Sequence, residues 1–170
     1  RARTVRAADR LRAAGHAAPV VSVGSTPTAL FAQNLTGVTE VRAGVFVFFD
    51  LVMAGLGVCH VDDIALSVLT TVIGHQSEKG WTLVDAGWMA MSRDRGTAAH
   101  PVDQGFGLVC DANGRAMPDV IVISVSQEHG IVARREGVAG PSLELPVGSQ
   151  LRILPNHACA TAAQHTHYHV

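Results

Sequence analysis

Lysine is almost missing from this chain: of 13 basic residues, twelve are arginine and one, Lys79, is lysine. Any chemistry that needs a lysine amine therefore has one candidate. Tyrosine also occurs once, as Tyr168, and aromatic residues make up only 5% of the sequence. Charged residues amount to 16%, with no acidic or basic block, which excludes a strongly solvated disordered tail. Thirteen basic against fourteen acidic residues leave a formal charge of −1. That balance gives no electrostatic footprint for nucleic acid or for an anionic membrane, so neither partner is expected. Every apolar run is broken before the roughly 18 residues that a membrane span needs. Cysteine is scarce too. Cys59, Cys110 and Cys159 are an odd number without a CxxC pair, so a disulfide framework is not expected, and a reducing, cytoplasmic setting is. Cys59 and Cys110 lie among apolar residues and read as buried thiols. The Arg-rich start, RARTVRAADRLRAAGH, has no apolar core segment and does not read as a signal peptide. Because it opens at Arg1, within what reads as a helix, the chain is expected to be a piece of a longer protein.

What is present divides into two textures. Val5, Ala8, Leu11 and Ala14 recur at three-residue spacing, which predicts a helix over residues 4–14, stopped by Gly15. VVSV at 20–23 reads as a short buried parallel strand, running into Gly24-Ser25-Thr26-Pro27-Thr28 and a helix over 29–34. Further strands are expected at 40–42 and 45–50. Beyond about Asp62 the chain becomes β-rich: IALSVLTTVIGH, GWTLVDAGWMAM, GFGLVCD, PDVIVISVSQEHGIVA, SLELPVGSQLRIL and HTHYHV are separated by turn residues. No helical period rises above these runs, and Ala112-Asn113-Gly114 is a hairpin signal. The fold class expected is α/β followed by an antiparallel β domain.

Three constellations carry candidate chemistry. A strand ending in Gly24-Ser25-Thr26 before a helix offers backbone N–H groups, two hydroxyls and a positive helix end, a combination that binds phosphate. The same residues also fit an ordinary turn with a Ser or Thr cap. His157 and Cys159, two apart on a segment read as extended, would point to one side and reach one cation, zinc first. His165, His167 and His169 alternate on an expected strand, either as a chelating face or as a solvated one. Gln127-Glu128-His129 and Asp85 stand inside apolar runs, where buried polar groups pairing locally are expected.

Taken in order, VGSTPT, TEVRAGVFVFFDL, VDAGWMAMSRDRG, VDQGFGLV, SQEHG and LRILPNHACAT resemble the D-serine dehydratase-like family. This is a group of alanine-racemase-type pyridoxal phosphate enzymes that also includes D-threonine aldolase. The resemblance covers essentially the whole chain. It implies the C-terminal end of a (β/α)8 barrel over residues 1–55, then a β domain over 56–170 that carries the metal ligands.

On that resemblance Gly24, Ser25 and Thr26 match the turn that cradles the phosphate of pyridoxal 5'-phosphate, and His157 and Cys159 match the metal pair. A cysteine in the second place, where the aldolases have aspartate, implies Zn2+ and tips the reading towards dehydration of D-serine to pyruvate and ammonia. Retro-aldol cleavage is the alternative. A non-catalytic metal-binding or interaction domain is the alternative of another class. The family's cofactor-bearing lysine lies far upstream of anything in this sequence. Lys79, between Glu78 and Gly80, sits in an expected turn, so no catalytic residue is assigned here and the chain alone is expected to be inactive. The resemblance also implies a homodimer in the full-length protein. Phe46 and Phe106 stand where the family commonly has tyrosine, and Ala43 where it has proline.

Overall fold

The structure, a computed structural model, describes residues 2–141, 143 and 145–170. Ser142 and Glu144 of the expected SLELPVGSQLRIL run, and Arg1, lie outside the described residues. Two compact units divide the chain, Arg1–Val47 and Phe48–Val170.

In the first unit, α1 (Ala2–Ala13) ends where Gly15 takes φ 84°, and His16 N–H returns to the Leu11 carbonyl at 3.0 Å. That is the left-handed exit that glycine makes cheaply. Arg12 then fastens the following loop, its Nε and Nη2 donating to the Ala18 carbonyl at 3.0 and 2.7 Å. Strands β1 (Ser22–Val23) and β2 (Glu40–Val41) pair in parallel, and α2 (Thr26–Phe31) follows β1. The strand expected at 45–50 does not form: Val45–Val47 is a single 3-10 turn, and the chain then enters α3 (Leu51–Gly55). Asp50 explains the change. Its carboxylate accepts the Met53 N–H at 2.9 Å, capping a helix where the run of aromatic and β-branched residues reads as a strand.

The second unit is a closed six-stranded barrel. Its strands are β3 (Val68–Gln76), β4 (Trp81–Val84), β5 (Gly107–Asp111), β6 (Ala116–Val125), β7 (Gly130–Arg134) and β8 (Gln150–Pro155). They run β3-β4-β7-β6-β5-β8 around the barrel, every pairing antiparallel. Three hairpins account for most of it, the β5–β6 turn lying at Ala112–Gly114 as the Asn-Gly pair predicts. β8 closes the barrel between β3 and β5, with Ile153 opposite both Val68 and Val109. All three are buried in one cluster with Val72, Val84, Val120, Val122 and Val132.

Two short helices interrupt what reads as continuous β texture. α4 (Trp88–Met91) follows β4, and α5 (Ala158–Ala162) follows β8. The first N–H groups of α4, on Trp88 and Met89, donate to the Ser126 and Gln127 carbonyls of the β6–β7 turn at 2.9 and 3.2 Å. Such satisfaction of orphan helix donors requires close approach of two backbones. Gly87 permits it, because a Cβ there would stand 2.3 Å from the Gln127 oxygen. The Gln127-Glu128-His129 turn is therefore exposed and serves as a backbone cap; it is not the buried polar pair expected from its apolar flanks. HTHYHV likewise forms no strand. His165 Nε2 bonds to the Ala90 carbonyl at 2.9 Å, Tyr168 donates to the Ala162 carbonyl at 3.0 Å, and the Tyr168 ring packs against Phe48.

Replacing Gly87 by Ala forces two backbone segments apart. It is expected to lower stability by about 1–3 kcal/mol, measured as a shift in the urea midpoint. The same change at Gly57, where no atom lies within 4 Å but φ is 71°, would act through backbone strain alone and serves as the comparison.

Candidate functional site

The segment Pro155-Asn156-His157-Ala158-Cys159 leaves the end of β8 and turns into α5, and buried polar groups fix that turn. Asn156, 2% exposed, spends its whole amide on it. Its Oδ1 accepts from Thr97 N and Thr97 Oγ1 at 3.0 and 2.9 Å, and its Nδ2 donates to the Gly105 carbonyl at 2.6 Å. Two residues on, Ala158 N–H donates to Asp50 Oδ2 at 2.9 Å. Asp50, 1% exposed, thus caps α3 with one oxygen and α5 with the other. Negative charge at two helix N-termini, accepting charge-assisted bonds, is favourable on both counts. Farther along α5, Thr161 Oγ donates to the Met91 carbonyl and ties it to the end of α4.

These anchors hold the backbone and leave two side chains outside. His157 is the N-cap of α5, at φ −135°, and Cys159 stands in the first helical turn. The segment is thus not extended through Cys159, as the alternation argument assumed. The Ala158–Asp50 bond bends the chain into a helix at that point. Cys159 is a free, exposed thiol. His157, also exposed, places Nδ1 at 2.5 Å from Asp94 Oδ2. Among the described residues, no group of three His, Cys, Asp or Glu side chains forms a cation cage. An imidazole and a thiol, with other positions left to water or substrate, fit a borderline-soft cation at an open site.

The loop bearing Asp94 is itself tied down. Ser92 takes φ 114°, which side chains rarely adopt, and its Oγ accepts the Asp94 N–H at 3.2 Å. Asp103 Oδ1 accepts the Gly105 N–H at 2.9 Å, and its other oxygen pairs with Arg95. Arg135 reaches from β7's end to the Asp103 carbonyl and Gln104 Oε1. Partial burial pushes the Asp103 carboxyl upward, but the Gly105 N–H and Arg95 outweigh it and hold it below the ordinary carboxylate value. Asp85 behaves alike: burial is outweighed by Thr71 N–H and Thr70 Oγ1, at 2.8 and 2.7 Å.

The Gly24-Ser25-Thr26 turn divides its roles. Ser25 is the N-cap of α2, accepting Thr28 N–H at 3.1 Å, and Thr26 is buried with its Oγ1 accepting Phe46 N–H at 3.0 Å. Gly24 packs against β2's end, where a Cβ would meet the Arg42 oxygen at 2.3 Å. Gly24 and Ser25 are exposed and fit an anion; the Thr26 hydroxyl first serves the fold.

Other candidates fall elsewhere. Lys79 lies in the 3-10 turn between β3 and β4, its Nζ 4.5 Å from the Trp81 ring centre. The three tail histidines share no strand face; His167 and His169 meet edge to ring at 5.6 Å. Cys110 is buried, which together with Asp111 pushes its thiol up to about 11; Cys59 is only partly buried, and desolvation and Asp63 raise it. Both are poor nucleophiles at neutral pH. Sequence patterning singles out neither Asp94 nor Asp50. Each lies inside a quoted run, but a lone carboxylate carries no period or spacing that announces a partner over 60 residues away.

Removing the Asn156 amide leaves Thr97 N–H and the Gly105 carbonyl unpaired in the interior. Asn156→Ala is expected to cost about 2–4 kcal/mol, read by urea unfolding. The depressed carboxyls of Asp85 and Asp103 give an acid dependence of definite sign. Their contribution is full above the unfolded carboxylate pKa of about 3.9 and is lost as pH falls through the lower folded value. An acid titration of unfolding free energy checks this, and Asp103→Asn should flatten the acid limb.

Residues 65–170 match the family model described as "Putative serine dehydratase domain". The chain is 64% identical over 170 residues to the D-threo-3-hydroxyaspartate dehydratase of Delftia sp., covering 99% of this chain and 45% of that enzyme. It superposes on the structure of that enzyme with a TM-score of 0.88, over 97% of this chain and 44% of the other. Solved variants of the same enzyme replace a histidine, and a cysteine two positions later, by alanine, the cysteine variant in a metal-free form. The D-serine dehydratase of Dictyostelium discoideum is 35% identical over 95% of this chain and 41% of its own length. An alanine racemase-like protein from Idiomarina loihiensis matches with a TM-score of 0.82 and 52% identity, over 94% of this chain and 42% of that one. The chain thus spans less than half the length of these relatives. The family match over residues 65–170 and the likeness to these solved structures agree: the chain belongs to the serine dehydratase domain family.

Proposed function

We propose that this chain is part of a pyridoxal-phosphate- and zinc-dependent lyase that dehydrates a small D-β-hydroxy amino acid. The observation that carries the reading is the pair His157 and Cys159 at the head of α5, exposed on a backbone pinned by Asn156 and Asp50. A relative whose solved variants remove a His and a Cys at the same spacing, one of them metal-free, supports it. In this reading residues 1–55 belong to a (β/α)8 barrel, and Gly24 and Ser25, with the α2 N-terminus, bind the cofactor's phosphate. His157 and Cys159 bind the cation.

When bound, the cofactor withdraws electrons from the α-carbon, and the cation, a Lewis acid, turns the β-hydroxyl into a better leaving group. The chain's own residues orient and exclude. Ser25, whose hydroxyl is engaged with Thr28, fixes the turn at the α2 N-terminus. Asn156 and Asp50 fix where the imidazole and thiolate emerge. The thiolate in place of a carboxylate favours a soft cation over manganese or magnesium, and with it dehydration over retro-aldol cleavage. For the substrate, the 64% relative acts on D-threo-3-hydroxyaspartate and the 35% relative on D-serine. The higher identity supports D-threo-3-hydroxyaspartate ahead of the D-serine that the family resemblance implies. The complete protein is a homodimer in this reading.

Two measurements test the proposal. Zinc stoichiometry of the purified chain should fall with His157→Ala and with Cys159→Ala; if it tracks His165, His167 and His169 instead, the site is wrong. With Lys79 stacked on Trp81 as its only lysine, the 170-residue chain should release no ammonia from either substrate and give no cofactor absorbance band with pyridoxal phosphate. Turnover by the chain alone would overturn the assignment of the lysine to a separate segment.

A further inference from the structure

His157 is anchored twice through its backbone, yet neither anchor says which way the ring points or which nitrogen carries the proton. Asn156, the residue before it, is held by its own side chain on the Gly105 carbonyl, and Asp50 holds the N–H of Ala158, the residue after it. Among the described residues one contact fixes the ring itself, Nδ1 to Asp94 Oδ2 at 2.5 Å. A carboxylate can only accept, so Nδ1 must donate. Nε2 of the neutral ring then carries the lone pair, and it points away from Asp94.

We infer that Asp94 is the positioning residue of this site: it holds His157 in the Nδ1–H tautomer and presents Nε2 as the donor atom. Three features bear on this, none of which a chance surface contact needs. Asp94 stands two residues after Ser92, which takes φ 114°, and its own N–H is bonded to the Ser92 hydroxyl, which ties the loop down there. Arg93 and Arg95, its chain neighbours, are both engaged elsewhere. The Arg93 guanidinium lies 5.1 Å from the Trp88 ring centre, and Arg95 pairs with Asp103. Both nearby cations are thereby drawn off, and Asp94 is left to the imidazole. Finally, Thr97, bonded to Asn156, anchors the same loop three residues later, so carboxylate and ring are registered through one buried group. The loop from Ser92 to Gly105 and the head of α5 therefore form one unit, in which Asn156 sets the distance and Asp94 sets the ring.

The inference deepens the cation reading proposed above and rests on it for the identity of what Nε2 binds, but the tautomer itself is measurable without metal. Long-range 1H–15N correlation spectra of the metal-free chain report ring protonation, with His157 assigned by its absence in His157→Ala. Wild type should show the Nδ1–H form, and Asp94→Ala should pass largely to the Nε2–H form that free imidazole rings prefer. Chelator competition with Zn2+ should show affinity about 10–100-fold weaker in Asp94→Ala, with Asp94→Glu recovering part of it. Unchanged tautomer populations in Asp94→Ala would overturn the inference, as would an unchanged Zn2+ affinity in a protein whose affinity depends on His157. If Zn2+ affinity is indifferent to His157 and Cys159 altogether, the cation reading falls, and the tautomer spectra alone decide the role of Asp94.

Discussion

Everything placed at the head of α5 depends on a single buried carboxylate. Asp50 lies beyond the reach of solvent with one oxygen on Met53 N–H and the other on Ala158 N–H, so two helices separated by over a hundred residues begin at the same side chain. A charge in such a place is tolerated because both oxygens meet N–H donors at positive helix ends. The consequence for the site is positional. The chain must turn at residue 157, two residues past the end of β8, and it must turn into a helix, which brings Cys159 around with the first turn. The barrel supplies the rigid base. β8 is held on both sides, and Ile153, two residues before Pro155, is wholly buried between its partners.

Much of this was legible in the residues. The antiparallel strands announce themselves by apolar alternation and by Gly, Asn and Asp at the turns, and the Asn-Gly hairpin falls where it is expected. α1 and its glycine exit follow from spacing and from the conformational freedom of Gly15. The failures share one cause. Val45–Asp50, HTHYHV and the segment around Cys159 have local β character or alternation, and each is overruled by a cap or contact that the run itself does not announce: Asp50 on Met53 and Ala158, His165 on the Ala90 carbonyl, the Tyr168 ring against Phe48. A helix of four or five residues has no periodicity to read; it exists because something caps it. α4 is the clearest case, since its cap is the backbone of another hairpin and its only sequence trace is Gly87.

The candidate site divides in the same way. Its donor atoms were readable, because imidazole and thiol two residues apart after Pro-Asn is a chemical statement in itself. The groups that orient them were not. Asp94, Thr97 and Asp50 are a lone acid, a lone hydroxyl and another lone acid, meaningful only once the loop from Ser92 to Gly105 lies against the end of β8. The chemistry is concentrated on exposed side chains, and the positional precision on buried ones.

The closure of the barrel also decides where the chain is vulnerable. Among the described residues each of its six strands has a partner on both sides, so the barrel offers no open strand edge there. The first unit is the opposite. Its two strands, of two residues each, have unpaired outer edges, and Val20, Leu30, Phe31, Phe46 and Val47 all stand more than half exposed around them. Among the described residues, open strand edges and exposed large apolar side chains therefore occur together in residues 20–47, and not on the barrel strands.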